Sequence, residues 1–374
     1  MAQYRIAWLP GDGVGNDVME AAKIVLDTIG LDAEYIHGDI GWEFWKKEGD
    51  PLPERTIKLL KETDCCLFGA ITSKPNPEAQ KELDPAIKDK GFIYSSPIVR
   101  LRQLFNLHTN LRPCKAFENN PLNYRDDIDL VVFRENTEGL YVGVEFHPVP
   151  QQIFDSLSTH PKMKKFMDTP LDDLAISTRI FTRKGCQSII TQAFEYAKKH
   201  NRKTVTLVEK PNVIRETSGM MVQEARKIEK KYPGIELWET NIDAMCMWLV
   251  KNPQDYDVLV SSNMFGDIVS DLCAQIVGGL GFAASGNIGD NYGVFEPTHG
   301  SAPKYAGKYI VNPTAMLLSV KLMLDWLGET DKADNLMTAI AQVIKEGKVK
   351  TYDLGGSNST LEVAEEVARI YKGL

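Results

Sequence analysis

The chain has 374 residues, 43% hydrophobic and 25% charged, which is enough to bury a large core and to build two domains. Its formal net charge is −8 and no block of five or more basic residues occurs, so nucleic acid and anionic membranes are not expected partners, although a small anion can still meet local arginines. There is no run of 18 apolar residues, and the six cysteines (Cys65, Cys66, Cys114, Cys186, Cys246, Cys273) show no C-x-x-C spacing; reduced, mostly buried thiols in a cytoplasmic protein are expected, not a membrane span, a zinc site or a disulfide frame.

The first residues run into a strand, Tyr4 to Leu9, with no signal-like apolar region. Gly11-Asp12-Gly13-Val14-Gly15 follows and opens a helical pattern from Val18 to Ile29. Its glycines stand at every second position, whereas the dinucleotide fingerprint needs G-x-G-x-x-G; a phosphate site and a plain tight turn explain it equally, and a Rossmann fold is not indicated. Asp64 to Phe68 is a second buried strand.

Arg100, Arg102, Arg112 and Arg134 then fall within 35 residues. A guanidinium fork donates two parallel hydrogen bonds to a carboxylate, so three or four converging arginines would bind a di- or tricarboxylate; singly, each reads as a solvated surface residue. Arg134 closes the strand Leu130 to Phe133, and the polar loop Glu135 to Tyr141 lies at its carboxyl end, where α/β sites gather. The stretch 145–173, with Pro148, Pro150, Pro161 and Pro170, is the least regular and reads as an arm or insertion.

Helical patterns at Cys186 to Lys199 and Thr217 to Lys231 alternate with strands at Val205 to Val208 and Val258 to Val260. That alternation indicates an α/β protein with parallel or mixed sheets. Lys210, like Tyr141, stands at a strand end, where desolvation and neighbours can tune an acid/base group. In Asn263-Met264-Phe265-Gly266-Asp267-Ile268-Val269-Ser270-Asp271, two carboxylates sit four residues apart, on one helical face and close enough to share a divalent cation. The competing explanation is capping of a helix N-terminus.

Three segments, Arg134 to Gly143, Asn263 to Asp271 and His299-Gly300-Ser301-Ala302-Pro303, occur in an order and spacing that resembles the β-decarboxylating dehydrogenases of isocitrate, 3-isopropylmalate and homoisocitrate. The similarity runs from Ile6 to about Leu327. It implies the isocitrate/isopropylmalate dehydrogenase-like fold, two α/β domains around a central cleft and not a Rossmann fold. The large domain would comprise 1–107 plus 278–374 with the coenzyme loop; the small domain, 108–277, would carry the dimer interface and an arm around 145–175.

The implied reaction is metal-dependent oxidative decarboxylation of isocitrate to 2-oxoglutarate and CO2 with NAD(P) reduction, as in the tricarboxylic acid cycle. By position, Arg102, Arg112 and Arg134 resemble the carboxylate clamp, Asp243, Asp267 and Asp271 the ligands of Mg2+ or Mn2+, Tyr141 the acid that protonates the enolate, and Lys210 the group that helps deprotonate the hydroxyl. Lys210 and Asp243 would come from the other subunit of a homodimer. Coenzyme contacts would fall to Thr72, His299, Gly300, Ser301, Ala302, Lys304, Tyr305, Asn312 and Tyr352.

Lys304-Tyr305 stands where NAD enzymes of the family carry Asp-Ile, and with Tyr352 it resembles NADP enzymes, yet Gly356 replaces the arginine expected four residues on; NADP is favoured and NAD stays open. For the acid, Ser96 matches the serine of the isocitrate pattern while Ile98 replaces its asparagine, and Ile98 and Val99 could line an apolar pocket or face the core. Arg100 would add charge if it turned inward. Isocitrate is favoured over 3-isopropylmalate and homoisocitrate. A non-catalytic regulatory subunit is disfavoured because Asp243, Asp267, Asp271, Tyr141 and Lys210 all stand, and a plain α/β scaffold would need the three motifs to coincide by chance.

Overall fold

In the computed structural model, which describes residues 2–374, the alternating apolar runs become strands of one large sheet and the amphipathic segments cover both its faces. Strand β1 (Tyr4–Gly11) turns into α1 (Val14–Ile29), and β2 (Ala33–His37) returns parallel to β1. Helix α1 begins four residues before the apolar period becomes visible, because Gly15 and Asn16 are weak helix formers. Helices α2 (Trp42–Glu48) and α3 (Glu54–Lys61) precede β3 (Cys65–Ala70); α4 (Asn76–Lys81) and α5 (Pro97–Leu104) lead to β4 (Thr109–Lys115) and β5 (Asp129–Glu135).

After β5 the chain leaves the sheet. The two-residue strands β6 (Glu145–Phe146) and β7 (Ile176–Ser177) pair as an antiparallel ribbon, and between them lie α6 (Gln151–Ser158) and short 3-10 turns. The chain re-enters through α7 (Arg183–Lys199), β8 (Thr204–Glu209), α8 (Thr217–Glu229), β9 (Glu236–Asn241), α9 (Ile242–Lys251), β10 (Val258–Ser261) and α10 (Asn263–Ile276). It closes with β11 (Ala284–Ile288), β12 (Gly293–Pro297), α11 (Thr314–Trp326), α12 (Thr330–Glu346) and α13 (Thr360–Tyr371).

The ten main strands run in the order β2-β1-β3-β12-β11-β4-β5-β10-β8-β9. Both flanks are parallel, as helical crossovers require, and the junctions β12/β11, β11/β4 and β4/β5 are antiparallel. The antiparallel centre matters for function. Asn287 of β11 stands opposite Asn110 of β4, Asn110 opposite Arg134 of β5, and Arg134 opposite Ser261 of β10. One row therefore presents these four side chains on a single face.

Apolar burial is divided between the flanks. One core joins β1 and β3 to α1, α11, α12 and α13 through Ile6, Val18, Leu67, Leu317, Leu336 and Val367. On the opposite face Leu9, Phe68, Leu101 and Val294 form a second cluster. Around β5, β8 and β10, Ile190, Phe194 and Met221 cover one face, and Met245, Leu249, Val269 and Cys273 cover the other. Five of the six cysteines are buried and all are free. Among the described residues no helix is long and apolar enough to cross a membrane.

Candidate active site

Helix α10 starts at Asn263 with Ser262 as its N-cap, and its first turn holds no acidic residue. Asp267 and Asp271 lie further along, so they are not capping groups. Val269, Cys273 and Ile276 bury one stripe of the helix, while Asp267 and Asp271 share another stripe that meets the arginines.

The sheet row sets those arginines. Arg134 is 1% exposed; its Nε and Nη2 donate to Asn263 Oδ1 at 3.0 and 2.8 Å, its Nη1 pairs with Asp267 Oδ1, and its Cζ lies 5.1 Å from the Tyr141 ring centroid. Arg112, two residues beyond Asn110 and so on the same face of β4, donates to Asn110 Oδ1 (2.6 Å), Ser270 Oγ (2.7 Å) and Asp271 Oδ1 (3.1 Å). Arg102 arrives from α5: its Nε donates to Asn287 Oδ1 at 3.0 Å and its Nη2 lies 3.8 Å from Glu296 Oε1. Asn287 in turn donates to Glu296 Oε1 at 2.7 Å.

Three guanidiniums thus converge from α5, β4 and β5. Burial, reinforced by the charges of Arg112 and Arg102, pulls Arg134 down to about 10, and burial also lowers Arg102. Burial likewise raises the Glu296 carboxyl despite Arg102 beside it. Such a cluster holds its cations at a desolvation cost that an incoming carboxylate would relieve. Tyr141 donates its hydroxyl to Asp267 Oδ2 at 2.5 Å; burial and that carboxylate raise the phenol, so it keeps its proton.

Helix α5 sorts the remaining acid-site candidates. Ser96 is its N-cap, half-buried, with no side-chain cap bond. Ile98 packs on the Leu9, Phe68 and Leu101 cluster, so of the two uses left open for it the core-facing one holds. Arg100 pairs with Asp50 and reaches Leu52 O at 3.5 Å; its charge is spent there and does not join the three arginines. Val99 stands one turn before Arg102 and is half-buried.

Lys210, just past β8, and Asp243, in the first turn of α9, pair with each other, and Lys210 lowers the Asp243 carboxyl. Neither hydrogen-bonds to or forms an ion pair with Tyr141 or Asp267 within the single chain. Among the described residues no group of three or more His, Cys, Asp or Glu side chains could hold a metal. The chain by itself supplies two carboxylates, Asp267 and Asp271, whose hard oxygen donors one turn apart suit Mg2+ or Mn2+ but leave the set short of a third.

The coenzyme candidates come together on the other flank. Thr72 Oγ1 and Ser301 Oγ are 2.6 Å apart, and Ser301 O accepts from Val14 N at 2.8 Å. A Cβ on Gly13 would stand 2.1 Å from that same carbonyl, so the glycine turn is a close backbone contact with the loop, not an open phosphate cradle. His299 Nδ1 lies 3.0 Å from Gly300 O, and burial lowers its ring. Ala302 takes a φ of 36° to start the turn bearing Lys304, whose Nζ sits 5.0 Å over Tyr305; the Tyr305 and Tyr352 rings are 6.5 Å apart. Asn312 donates to Asp353 Oδ2 at 3.0 Å. A Cβ at Gly356 would lie 2.0 Å from Lys350 O, so no larger side chain fits there as the backbone stands.

Several participants escaped motif reading. Asn287 and Glu296 lock Arg102, Asn110 and Asn263 lock the other two arginines, and buried Asp12 and Asp17 hold loops by their backbone N–H groups. For most of them the one sequence signal is an amide or acid inside an otherwise apolar element; Asp12 instead lies in the glycine turn after β1.

A family model described as isocitrate/isopropylmalate dehydrogenase matches residues 5–367. The 3-isopropylmalate dehydrogenase of Methanothermobacter thermautotrophicus is 40% identical over 99% of both chains. The homoisocitrate dehydrogenase of Methanocaldococcus jannaschii is 41% identical over 97% of this chain and 96% of its own. Protein DlpA of Legionella pneumophila is 40% identical over 97% of this chain, which spans only 58% of that longer protein. The crystal structure of isocitrate dehydrogenase from Methylococcus capsulatus superposes with a TM-score of 0.86 at 36% identity, covering 99% of this chain and 100% of that one. The relatives' names are spread over three acids, and those at 40–41% do not favour isocitrate over the alternatives.

Proposed function

This chain belongs to the isocitrate/isopropylmalate dehydrogenase family, and from that premise we propose that it oxidises a 2-hydroxy acid bearing a carboxylate on C3 with NAD(P) and releases that carboxylate as CO2. The observation that carries the reading is the convergence of Arg102, Arg112 and Arg134 beside Asp267, Asp271 and Tyr141.

The three guanidiniums bind and orient the substrate carboxylates, exchanging internal partners for charge-assisted bonds to the ligand. Asp267 and Asp271, completed by Asp243 of a second copy, would hold Mg2+ or Mn2+; when bound, such a cation lowers the pKa of a coordinated hydroxyl and stabilises developing oxyanion charge. Lys210, also from the second copy, would help remove the hydroxyl proton, and must enter the step as the neutral amine because the ammonium that pairs with Asp243 has no lone pair to accept one. NAD(P), held by the coenzyme residues, would supply the hydride acceptor. Tyr141 then delivers its retained proton to C3 once CO2 has left. His299, Gly300, Ser301, Ala302, Lys304 and Tyr305, with Thr72, Asn312 and Tyr352, form the coenzyme site, and Lys304, whose ammonium lies over the Tyr305 ring, favours NADP.

Exposed Met247 and Val250 on α9 and Ile268 on α10 support a homodimer through this flank, with the 145–175 segment as an arm. The separate apolar cores likewise support 1–107 plus 278–374 and 108–277 as the two domains of the enzyme.

For the acid, isocitrate is supported by α5: Ser96 leaves its hydroxyl free of capping while Ile98 turns into the core. A second reading, 3-isopropylmalate or homoisocitrate, is supported by relatives at 40–41% identity and by Val99 one turn before Arg102. Initial rates with the three acids, both coenzymes and Mg2+ or Mn2+ decide between them. Isocitrate turnover with preference for NADP is the expected result; turnover of isopropylmalate alone would make Val99 the substrate-facing residue and overturn the isocitrate assignment.

A further inference from the structure

Outside the acid site, a buried charged knot ties together the elements that carry the acid/base groups. Arg179 lies two residues beyond β7. Its Nη2 is 3.1 Å from Glu209 Oε2 and donates to Ser262 Oγ at 2.7 Å; its Nη1 donates to Thr217 Oγ1 and Ser218 Oγ, each at 3.0 Å. The guanidinium lies between two aromatic rings, 4.4 Å from the Phe181 centroid and 4.9 Å from that of Phe265. Glu209, 1% exposed, also accepts from Ser218 Oγ at 2.6 Å and Ser262 N at 3.1 Å.

Three of these partners, and the residue next to Arg179, border groups of the proposed chemistry. Glu209 immediately precedes Lys210, whose N lies 3.4 Å from Ser218 Oγ. Ser262 is the N-cap of α10, the helix of Asp267 and Asp271. Ile180, next to Arg179, exchanges backbone hydrogen bonds with Gly139 at 2.9 and 3.3 Å, two residues before Tyr141. Replacing a buried ion pair by apolar groups is often neutral for stability, so stability alone does not explain a cation bonded to the ends of three functional elements.

We propose that Arg179 is a positioning residue that holds Lys210, α10 and the Tyr141 turn in one frame. The inference rests on the reading above, in which Lys210 serves the site of a second copy while Asp267 and Tyr141 serve their own. Arg179 then links the two active sites of the dimer: a shift of Lys210 in one site passes to α10 in the other.

Mixed dimers test this. One subunit carries Lys210→Met and the other Asp267→Asn, leaving a single intact site with Lys210 from the second and Asp267 and Tyr141 from the first. Arg179→Met with Glu209→Gln, which removes both buried charges together, is placed in either subunit. The expected result is a fall in kcat on the order of tenfold to a hundredfold with either placement, while KM for the acid moves less than about twofold. A fall with only one placement, or with neither, overturns the coupling and leaves the shared site standing. An inactive parent mixed dimer, beside active wild type, overturns the shared site and the coupling together. If the double variant does not fold, Arg179→Lys in the same two placements carries the test. An ammonium cannot span Glu209, Ser262 and Ser218 at once, so kcat falls with both placements; an unchanged kcat with either one overturns the proposal.

Discussion

Around Arg134, the site proposed for the acid is built from charged side chains projecting from regular elements; around Ser301, the site proposed for the coenzyme is built from backbone held in irregular loops. The arginines stand on β4, β5 and α5, and a sheet row with its amide partners fixes them. The coenzyme loop has no such row. The segments beside it are tied down by two buried carboxylates acting as backbone acceptors: Asp12 takes Trp42 N and Thr72 N, and Asp17 takes Gly307 N and Tyr309 N just past the loop. Removing a charge in the first region leaves other charges buried and unpaired, whereas removing one in the second releases a loop. The two regions should therefore fail differently.

The largest effect is expected at Asp267, which serves Arg134, Arg112 and Tyr141 at once. Asp267→Asn should bring cation-dependent turnover to the detection limit with the far-UV circular dichroism unchanged; near-normal activity would remove Asp267 from the site. Next comes Tyr141→Phe, expected to lower kcat by about 10²- to 10⁴-fold with little change in KM for the acid. Because burial and Asp267 raise the phenol, wild-type activity should persist on the alkaline side through the ordinary tyrosine range; a limb that falls well below it would assign the proton to another group.

In the loop region, Asp17→Asn should raise KM for the coenzyme about tenfold through loss of charge-assisted backbone bonds, and leave KM for the acid alone. Equal effects on both substrates would erase the distinction between the regions. Lys304→Asp should move the coenzyme ratio toward NAD by roughly tenfold, read from kcat/KM for each coenzyme.

The smallest effect lies in neither region and serves as a control. Lys227 and Gln187, with Arg183, hold Glu224 down to about 2. Its folded pKa is below its unfolded one, so its contribution is present above the ordinary glutamate range and is lost as pH falls toward about 2. Glu224 is itself buried but its cationic partners are more than half exposed and screened by solvent, so Glu224→Gln should cost on the order of 1 kcal/mol at neutral pH, and the melting-temperature difference from wild type should shrink on acidification.

What could be seen beforehand follows the same division. Asp267 and Asp271 were legible as a pair because helical spacing is local, and Arg134 because it closes a recognisable strand; Arg112 stood out only as one of four nearby arginines, its strand β4 not having been read. The direction of Arg100 and Ile98 was not legible, since it depends on Asp50 and on a core assembled from β1, β3 and β12. Nor were Asn287, Glu296, Asp17 or Arg179: each acts through a partner brought near only by the sheet order, and a single buried polar residue does not announce its partner. Strands β1, β3, β5, β8 and β10 were found within two residues of their ends, but β2, β4, β9, β11 and β12 were not read, and the antiparallel centre that sets the row through Arg134 is a pairing that alternation of elements does not reveal.

The most direct test of the account is the amount of CO2 released per coenzyme reduced, measured with isocitrate, with Mn2+ present and after its removal by a chelator. One CO2 per coenzyme reduced is expected when Mn2+ is present, no reduction without it, and recovery when the cation is restored. Coenzyme reduction that proceeds without the cation, or without CO2, would contradict the assignment of Asp267 and Asp271 to a decarboxylating site.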